Sequence, residues 1–437
     1  MKIVIGVHHF PPRHTGGGER EAQRFAFGLA ARGHEVRVVC VERIDEGPAG
    51  GVAWNDEVVD GYTIRRLRLD LRLVPDRSRW EYDNPWIGDH LRGLLAQERP
   101  DVFLLIGGYL LSGSVLAAAR AERVPALVRL TDFWFLCPRI ILQRSDGSLS
   151  PPPIDPSKCA RCLAEESRRY RIPGRLFPSL ARAFWRLRRK PARRIEARLA
   201  FLREQMAAAD ALISPSQFLL NTYIAAGAPR ESLYFLRQGV EVPAAISAPP
   251  PPPSLRLAYL GQIAPLKGVD VLLRAIRLLP EADLRLDVYG DLDFFPEYAA
   301  TLRGLAGPDG RIQLRGRYPV GPGPEAVLRE THAVVVPSTW YENSPNAILE
   351  SFANAVPVIA SDLGGMAELV RHEESGLLFR PGNAAGLAAQ IDRLVREPSL
   401  LPVLRSGIPP MKSVAEEIDE IEAFCDRAIA SRGRGSQ

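Results

Sequence analysis

The segment VVVPSTWYENSPNAILE, residues 334–350, joins an apolar run to a predicted helix. The three valines that open it are typical of a buried strand, because β-branched side chains favour extended backbone. Ser344 followed by Pro345 predicts a helix start, since serine suits the N-cap and proline suits the first helical position. We therefore expect a strand–loop–helix unit, with Glu342 in the loop and Glu350 in the second helical turn.

The two glutamates of this unit predict a binding site for a sugar or a phosphate. A side chain on a helix leans toward the N-terminus, so the carboxylates of Glu342 and Glu350 are expected to converge above the start of the helix. Carboxylates accept hydrogen bonds from sugar hydroxyls, and a helix N-terminus attracts anions. The alternative is two surface glutamates on an amphipathic helix. The flanking sequence favours the binding site.

Two further strand-to-helix turns flank this unit. Residues 357–361 form an apolar strand that runs into a turn containing Gly364 and Gly365. Residues 257–260 form another strand, followed by a glycine-rich loop that carries Lys267. Glycines let backbone amides approach an anion closely, and a lysine adds a point charge. Because such turns lie at the carboxyl edge of an open α/β sheet, the three are expected to form one site.

Together these features resemble the large family of retaining glycosyltransferases known as family 4. The shared motifs occur in the expected order: Gly-x5-Lys-Gly at 261–268, Glu-x7-Glu at 342–350, Asp-x-Gly-Gly at 362–365 and Ser-Gly-Leu-Leu-Phe at 375–379. The N-terminus matches too, with strand, glycine-rich loop, helix and strand. The resemblance implies an α/β protein of the GT-B fold, in which two doubly wound Rossmann-like domains face across a cleft. It also implies transfer of a sugar from a nucleotide-diphosphate donor with retention of configuration, and no required metal ion or cofactor.

The resemblance assigns roles to individual residues. Glu350 matches the glutamate that binds the donor ribose, Glu342 the one that faces the transferred sugar, and Lys267 the lysine on the donor pyrophosphate. Gln262 stands where the family usually has an arginine, so neutralisation of the pyrophosphate would depend more on Lys267 and on helix dipoles. The other implied donor-binding positions are Gly17, Gly18, Asn346, Ala347, Gly364 and Gly365.

Asp132 is the third candidate catalytic residue, beside Glu342 and Lys267. It follows the predicted strand at 126–130, and in the family this stretch lies near the reacting carbon. Many relatives have a histidine directly before this aspartate, whereas this chain has Thr131. Asp132 remains a candidate for contacting the acceptor or the donor sugar. The alternative is that it is only a turn or N-cap residue.

Length and composition indicate a globular protein of more than one domain. The chain has 437 residues, 46% hydrophobic and 24% charged, and one domain per about 150 residues gives two or three. It lacks an uncharged apolar run of about 18 residues, so no transmembrane helix is expected. The N-terminus begins as a strand and does not have the pattern of a signal peptide. We therefore expect a cytoplasmic protein that can also lie peripherally at the inner face of the membrane.

The predicted domain bounds follow from a proline run. Residues 1–243 are expected to form the N-terminal, acceptor-binding domain, with a basic, cysteine-containing insertion at about 137–205. The proline-rich residues 244–254 cannot join a sheet and predict a linker. Residues 255–410 are expected to form the nucleotide-sugar-binding domain. A helix within 411–437 would then pack back on the N-terminal domain, as the resemblance implies.

Three cysteines form a possible structural zinc site. Cys159 and Cys162 make a C-x2-C pair, and Cys137 lies upstream of it. Zinc sites favour such pairs with further ligands elsewhere. The alternatives are a free C-x2-C pair and a redox-active pair. None of these cysteines is expected to take part in sugar transfer.

The positive charge of the chain is local. Residues 168–203 hold thirteen Lys and Arg residues and one acid, interleaved with aromatic and aliphatic side chains. A basic amphipathic segment of this kind predicts contact with an anionic membrane surface. The alternatives are a solvated helical insertion and a nucleic-acid-binding surface, but no nucleic-acid-binding motif accompanies the charge.

The predicted activity is transfer of a hexosyl or related sugar to a hydroxyl of a glycan or of a lipid-linked acceptor, as part of glycan biosynthesis. Two alternatives remain at this point. A nucleotide-sugar isomerase on the same fold would convert the donor without an acceptor. A non-catalytic GT-B protein would bind nucleotide or a partner without turnover.

Overall fold

The computed structural model describes residues 1–14, 16–243, 254–318 and 323–434, which divide into two compact units. The first unit comprises residues 1–237 together with the chain from Ala415 onward, and the second comprises Gln238–Val414. Each unit has one sheet with helices on its faces. The proline-rich linker that the sequence predicts at 244–254 lies, except for Ser254, outside the described residues.

The first unit is built on an eight-stranded sheet of order β3-β4-β2-β1-β5-β6-β7-β8. All neighbouring strands run parallel except β3, which is antiparallel to β4. The strands are β1 (Lys2–Val7), β2 (Glu35–Arg43), β3 (Ala53–Val59), β4 (Tyr62–Arg68), β5 (Val102–Ile106), β6 (Ala126–Arg129), β7 (Ala211–Ser214) and β8 (Leu233–Phe235).

Nine helices connect these strands within the described residues. They are α1 (Gly17–Ala31), α2 (Arg77–Trp80), α3 (Pro85–Glu98), α4 (Ser114–Ala121), α5 (Pro156–Ala164), α6 (Arg168–Leu176), α7 (Pro178–Leu187), α8 (Arg189–Ala207) and α9 (Gln217–Ala225). Helix α1 ends at Ala31. Gly33 follows it with φ +84°, the left-handed conformation that suits a glycine after a helix C-terminus.

The second unit has a six-stranded, all-parallel sheet of order β11-β10-β9-β12-β13-β14. Its strands are β9 (Leu255–Leu260), β10 (Leu284–Tyr289), β11 (Ile312–Gly316), β12 (Ala333–Val336), β13 (Val358–Ser361) and β14 (Gly376–Phe379). Its helices are α10 (Val269–Arg277), α11 (Pro296–Ala306), α12 (Gly323–Leu328), α13 (Asn346–Ala353), α14 (Gly364–Leu369), α15 (Ala384–Arg396) and α16 (Leu400–Ser406).

Alternate side chains of the central strands fill two cores, one on each face of this second sheet. On β9, Leu257 and Tyr259 join one core, whereas Ala258 and Leu260 join the other. The valines of β12 divide in the same way. A parallel strand covered on both faces needs apolar residues at consecutive positions, which is why the sequence of β12 is a run of valines. The α/β fold class is confirmed, with two doubly wound units.

The last helix, α17 (Val414–Arg434), joins the first unit through buried charges. Arg129 of β6 is fully buried and donates to Glu21 at 2.8 Å, to Glu417 at 2.7 Å and to the carbonyl oxygen of Leu236 at 2.8 Å. Glu21 and Glu417 are also buried. One guanidinium therefore ties α1, β6 and α17 together.

The strand orders locate the edge where a ligand is expected in each unit. In each sheet the chain first adds strands on one side of its first strand and then returns to add strands on the other side. This change of side occurs between β1 and β5 in the first unit and between β9 and β12 in the second. In open α/β sheets, ligands bind at the carboxyl ends of the strands at such a change of side. Of the residues that the sequence singles out, Gln262, Lys267 and Glu342 lie in the loops that follow β9 and β12.

Candidate functional site

The loops that follow β9 and β12 in the second unit are packed directly on each other. Gly268 has φ +67°, and a Cβ atom there would lie 2.1 Å from the carbonyl oxygen of Pro337. The amide of Thr339 donates to the carbonyl oxygen of Leu266 at 2.9 Å. Both the left-handed backbone and the lack of space demand glycine at 268. This contact sets Lys267 beside the loop that carries Glu342.

Lys267 and Glu342 form an ion pair at the centre of this edge. The Nζ atom of Lys267 lies 2.6 Å from Oε1 of Glu342. The same oxygen accepts hydrogen bonds from Ser338 Oγ at 2.8 Å and from Trp340 Nε1 at 2.9 Å. Glu342 is buried, while a quarter of the Lys267 side chain is exposed. An ammonium has three N–H donors, so Lys267 retains donors for an anion.

The glycine turn that follows β13 closes onto the backbone of the same loop. The amide of Gly365 donates to the carbonyl oxygen of Glu342 at 2.7 Å. A Cβ atom on Gly365 would lie 2.0 Å from the carbonyl oxygen of Asn343. Gly364 has φ +59°, a conformation that glycine adopts easily. The Asp-x-Gly-Gly motif therefore allows the turn after β13 to pack against the loop after β12. This packing role is separate from the predicted contact of the glycines with a phosphate.

The predicted start of the helix after β12 is wrong by one residue. Pro345 occupies the N-cap position in extended conformation (ψ 115°), and the helix begins at Asn346 without a side-chain cap. The carbonyl oxygen of Pro345 accepts the first helical hydrogen bond, from Ile348. With Pro345 extended, the Ser344 hydroxyl no longer caps the helix.

Two buried hydroxyls at this edge have no hydrogen-bond partner among the described residues. They are Ser344 Oγ, in the loop before α13, and Ser361 Oγ, at the end of β13. Buried polar atoms in native proteins are nearly always paired, so an orphaned hydroxyl suggests a missing ligand or water. A polar, oxygen-rich ligand at this edge would satisfy both groups.

The remaining predicted donor-binding residues lie around the same edge or on α13. Asn346, at the first position of α13, accepts from the Gln238 side chain at 2.6 Å. Ala347 follows it, and Glu350 lies one turn further along the helix. Gln262 is exposed, and its carbonyl oxygen accepts from the buried Tyr259 hydroxyl at 2.7 Å. These positions are as the sequence predicts, and their roles in binding stay predictions.

In the first unit, the carboxyl ends of β1 and β6 and the start of α1 bring a second polar group together. A Cβ atom on Gly18 would lie 3.4 Å from His8 and 3.8 Å from Thr131. His8 Nε2 lies 3.3 Å from Oε1 of Glu19. Gly17 and Gly18 are the first residues of α1. The candidate residues Gly17, Gly18 and Asp132 therefore belong to the first unit.

His8 and Glu19 are residues that the sequence reasoning missed. Burial raises the pKa of Glu19, but the hydrogen bond and charge of His8 outweigh it and hold the pKa below its ordinary value. Glu19 is therefore ionised beside an imidazole. A histidine directly after the first strand of a doubly wound unit was the available signal, because that position lies at the ligand-binding edge.

Asp132 lies in the same group and makes local contacts. Its Oδ1 accepts from the amide of Trp134 at 2.8 Å, and its Oδ2 accepts from the Thr131 hydroxyl at 3.2 Å. Burial raises the pKa of Asp132, while the Trp134 amide and the charge of His8 act against that rise. A side chain that accepts from the amide two residues later is typical of a turn. Asp132 therefore stabilises this turn, as the alternative interpretation of the sequence predicts.

We expect Asp132→Asn to raise the melting temperature at neutral pH. Asparagine retains an acceptor for the Trp134 amide but removes a carboxylate whose ionisation burial disfavours. Because the folded-state pKa is raised, wild-type stability falls as the pH rises above the ordinary carboxyl pKa. The gain should therefore appear toward neutral pH and vanish in acid, where the carboxyl group is neutral in both states. Melting curves across this range test it.

The matched control for this prediction is Asp89→Asn. Asp89 lies on the exposed side of α3. The control should leave the melting temperature nearly unchanged at every pH. An Asp132→Asn protein that melts no higher than wild type at neutral pH would contradict the account of Asp132.

The three cysteines of the insertion line one small, mostly apolar cavity of about 20 Å³. Burial, followed by the nearby Cys137 and Cys162 thiols, raises the pKa of Cys159 to about 12. Reactive cysteines have lowered pKa values, so the redox alternative is not supported. Within the described ranges, no group of three or more His, Cys, Asp and Glu residues is arranged to hold a metal ion. The predicted zinc site therefore lacks a ligand set, and these residues do not fit a metal.

Two doubly wound units, with a lysine–glutamate pair at the ligand-binding edge of the second, define the class of GT-B sugar transferases. Two family profiles match the chain: "Glycosyl transferase 4-like domain" over residues 16–239 and "Glycosyl transferases group 1" over 254–397. The chain therefore belongs to the glycosyl transferase 4-like family, as the sequence motifs predict.

Individual relatives share less of the chain. A D-inositol 3-phosphate glycosyltransferase of Rhodococcus jostii is 33% identical over 168 residues, which is 35% of this chain and 35% of that protein. The match thus spans about a third of the length of such curated relatives. Among solved structures, Anabaena HepE with UDP and glucose has a TM-score of 0.65 and 16% identity, covering 98% of this chain and 99% of that chain. Sucrose-phosphate synthase from Thermosynechococcus elongatus has a TM-score of 0.63 and 19% identity, covering 98% and 96%.

Among the helices of the described residues, none combines enough length with enough apolar character to cross a bilayer.

Proposed function

We propose that this protein is a retaining glycosyltransferase that moves a sugar from a nucleotide-diphosphate sugar to a hydroxyl group. The observation that carries the proposal is the Lys267–Glu342 pair, 2.6 Å apart, at the ligand-binding edge of the second unit. Family membership supports the reaction type, and the fold shared with HepE, which was crystallised with UDP and glucose, supports a nucleotide-sugar donor.

The donor is proposed to bind the second unit through its diphosphate. When a nucleotide sugar reacts, the leaving nucleoside diphosphate gains negative charge, and a positive group already in place stabilises that charge. Lys267 is such a group, and the first amides of α13, at Asn346 and Ala347, add dipoles of the same sign. The orphaned hydroxyls of Ser344 and Ser361 are available as further hydrogen-bond donors.

The two glutamates are proposed to orient the donor sugar and ribose. Glu342 already accepts three hydrogen bonds at Oε1, so it is a poor nucleophile and a suitable positioning group. Glu350, one turn into α13, is proposed to accept from the ribose hydroxyls. A diphosphate that binds Lys267 would draw the ammonium from Glu342 and leave the carboxylate to accept from a sugar hydroxyl.

The acceptor hydroxyl is proposed to bind the first unit near Asp132, with His8 and Glu19 beside it. These residues supply an ionised carboxylate, an imidazole and a partly buried aspartate, which are all groups that bind hydroxyls. The acceptor is proposed to be a glycan or a lipid-linked molecule. An enzyme acting on a lipid-linked acceptor in the cytoplasm would work as a peripheral protein at the anionic inner membrane face.

A thermal-shift panel of UDP, GDP and ADP, with the corresponding glucose conjugates, tests the donor proposal. A ligand that binds only the native state at a hundred times its Kd stabilises it by about 2.7 kcal/mol, so one nucleotide series should raise the melting temperature clearly. No shift with any nucleotide at millimolar concentration would overturn the donor proposal.

The nucleotide that binds is then used in turnover assays. Acceptors would include D-inositol 3-phosphate, because curated relatives are named for it, together with lipid-linked sugars. Product with the anomeric configuration of the donor supports the proposal, and an inverted product contradicts retention. Isomerised donor formed without an acceptor would favour the isomerase alternative, and binding without turnover on any acceptor would favour a non-catalytic protein.

A further inference from the structure

Helices α6 and α7, with the first two residues of α8, carry positive charge that the rest of the described chain does not neutralise. Residues 168–190 contain nine Lys and Arg residues and no Asp or Glu. None of these nine side chains forms an ion pair with a carboxylate within the part of the chain that the structure describes. Two of them, Arg169 and Arg188, instead lie over the rings of Tyr170 and Phe184. The charge therefore remains available to an external partner.

The same helices expose apolar side chains to solvent. Leu176 is 67% exposed, Leu180 69% and Leu187 82%, and Phe177, Ile172 and Phe184 are exposed as well. Leu180, Phe184 and Leu187 lie at positions i, i+4 and i+7, so they share one face of α7. Among the described residues, these six are a third of all large exposed hydrophobic side chains, and they lie within 172–187. Scattered exposed leucines are ordinary, but a contiguous patch marks an interaction surface.

The opposite side of the helical pair is held against the first unit. Trp185 is buried and lies edge-on to Tyr170, with ring centroids 5.5 Å apart. A Cβ atom on Gly174 would lie 2.3 Å from Glu165 Oε1, which shows how closely α6 approaches the end of α5. Helix α7 also packs on α5. The exposed leucines are thus the outer face of an anchored element, and they are not a poorly packed core.

We propose that the outer face of α6–α7 docks on a lipid bilayer that carries anionic headgroups. Charge complementarity and the apolar stripe together select this partner. A helix lying in the membrane interface needs apolar side chains that enter the acyl boundary and basic side chains that meet the headgroups, and residues 168–190 supply both. A nucleic acid would use the arginines but gain nothing from three exposed leucines. The proposal goes beyond sugar transfer and does not depend on the donor site.

Vesicle sedimentation with the whole 437-residue chain tests the proposal. The protein should sediment with vesicles of phosphatidylcholine mixed with phosphatidylglycerol, and much less with vesicles of phosphatidylcholine alone. The triple variant Leu176→Ser/Leu180→Ser/Leu187→Ser should lower the partition coefficient on anionic vesicles by about tenfold or more. The triple variant Arg182→Gln/Arg186→Gln/Lys190→Gln should lower it by a similar factor and weaken its dependence on salt.

A matched control replaces three exposed apolar residues elsewhere, as Val58→Ser/Leu278→Ser/Val403→Ser. It should bind vesicles as the wild type does. The substituted side chains in all three variants are exposed, so nucleotide-induced thermal shifts should match wild type in each. This readout separates failure of membrane docking from failure of the donor proposal.

Several outcomes would overturn the proposal. They are no binding of wild type to anionic vesicles, equal binding of the leucine variant and wild type, and equal loss in the control. Tighter binding to a DNA or RNA duplex than to anionic vesicles would identify a nucleic-acid surface instead. Light scattering could instead show a dimer for wild type and a monomer for the leucine variant. That result would identify the patch as a contact between two copies of the chain.

Discussion

Replacing Lys267 with alanine is expected to lower glycosyl transfer by about 10²- to 10³-fold, an effect typical of losing one group aimed at developing negative charge. The ammonium lies 2.6 Å from Glu342 and is held there by the packing of Gly268 on Pro337. Its removal leaves the leaving diphosphate only neutral donors, namely the helix amides and the hydroxyls of Ser344 and Ser361, since Gln262 carries no charge. Initial rates at saturating donor, together with thermal shifts by the nucleotide that binds wild type, measure the loss.

The fold should survive this change. Glu342 keeps the hydrogen bonds from Ser338 and Trp340 at the same oxygen, so its loop remains in place. A matched control is Arg274→Ala, which removes a mostly exposed cation paired with Asp270 on the following helix. That variant should retain wild-type turnover. If Lys267→Ala transferred sugar at a rate close to that of wild type, the assignment of the donor site would be wrong.

A double-mutant cycle makes the test sharper. Lys267→Ala and Glu342→Gln each break the same ion pair, so the double variant should lose less activity than the two single losses combined. Losses that add fully would mean that the two side chains act independently during turnover. That result would contradict the proposed exchange of Lys267 from Glu342 to the diphosphate.

Replacing Arg129 with methionine is expected to destabilise the first unit by about 3–5 kcal/mol, because it leaves buried carboxylates without their partner. Arg129 is fully buried between Glu21 and Glu417 and also donates to Leu236. Helix α17 should lose protection first, since it is attached through Glu417. Hydrogen exchange resolved along the chain measures this separately from β9–β14, whereas one melting temperature would average two units.

Neutralising Arg129, Glu21 and Glu417 together separates the effect of buried charge on stability from the effect of packing. Arg129→Met/Glu21→Gln/Glu417→Gln leaves no buried charge in the cluster, so most of the lost protection should return. The exposed pair of Arg120 with Glu204 offers a control, because Arg120→Met should change stability by less than about 1 kcal/mol. Normal protection of α17 in Arg129→Met would mean that its other contacts, among them the ion pairs of Arg32 with Asp419 and Glu422, hold it without the buried ion pairs.

The second unit was largely predictable because its signals are local. A run of valines, a glycine pair after a strand and a lysine–glycine loop each specify backbone conformation within a few residues. The structure places Lys267, Glu342 and Gly365 together as these signals predict. The start of α13 was not predictable in detail, because serine and proline can each occupy more than one position at a helix start.

The insertion in the first unit shows the opposite case. Its charge and its hydrophobic residues are plain in the sequence, but spacing alone could not tell which leucines face the core. The cysteine spacing suggested a metal, whereas the described residues offer no group of three or more ligands arranged to hold one. The spacing of cysteines in the sequence indicates which thiols can lie close together. Whether they bind a cation depends on further ligands from the surrounding side chains.

The sequence by itself determined the fold class, the family and the positions of Lys267, Glu342 and Glu350 on their strand ends and helix, because each depends on contacts between near neighbours in the chain. Tertiary structure alone decided that Arg129 meets Glu21 and Glu417, that His8 meets Glu19, and that Ser338 and Trp340 hold Glu342. The packing of whole helices and strands selects which residues meet when they are far apart in sequence. It also selects the side-chain rotamers through which residues close in sequence bind each other. No local periodicity encodes that choice.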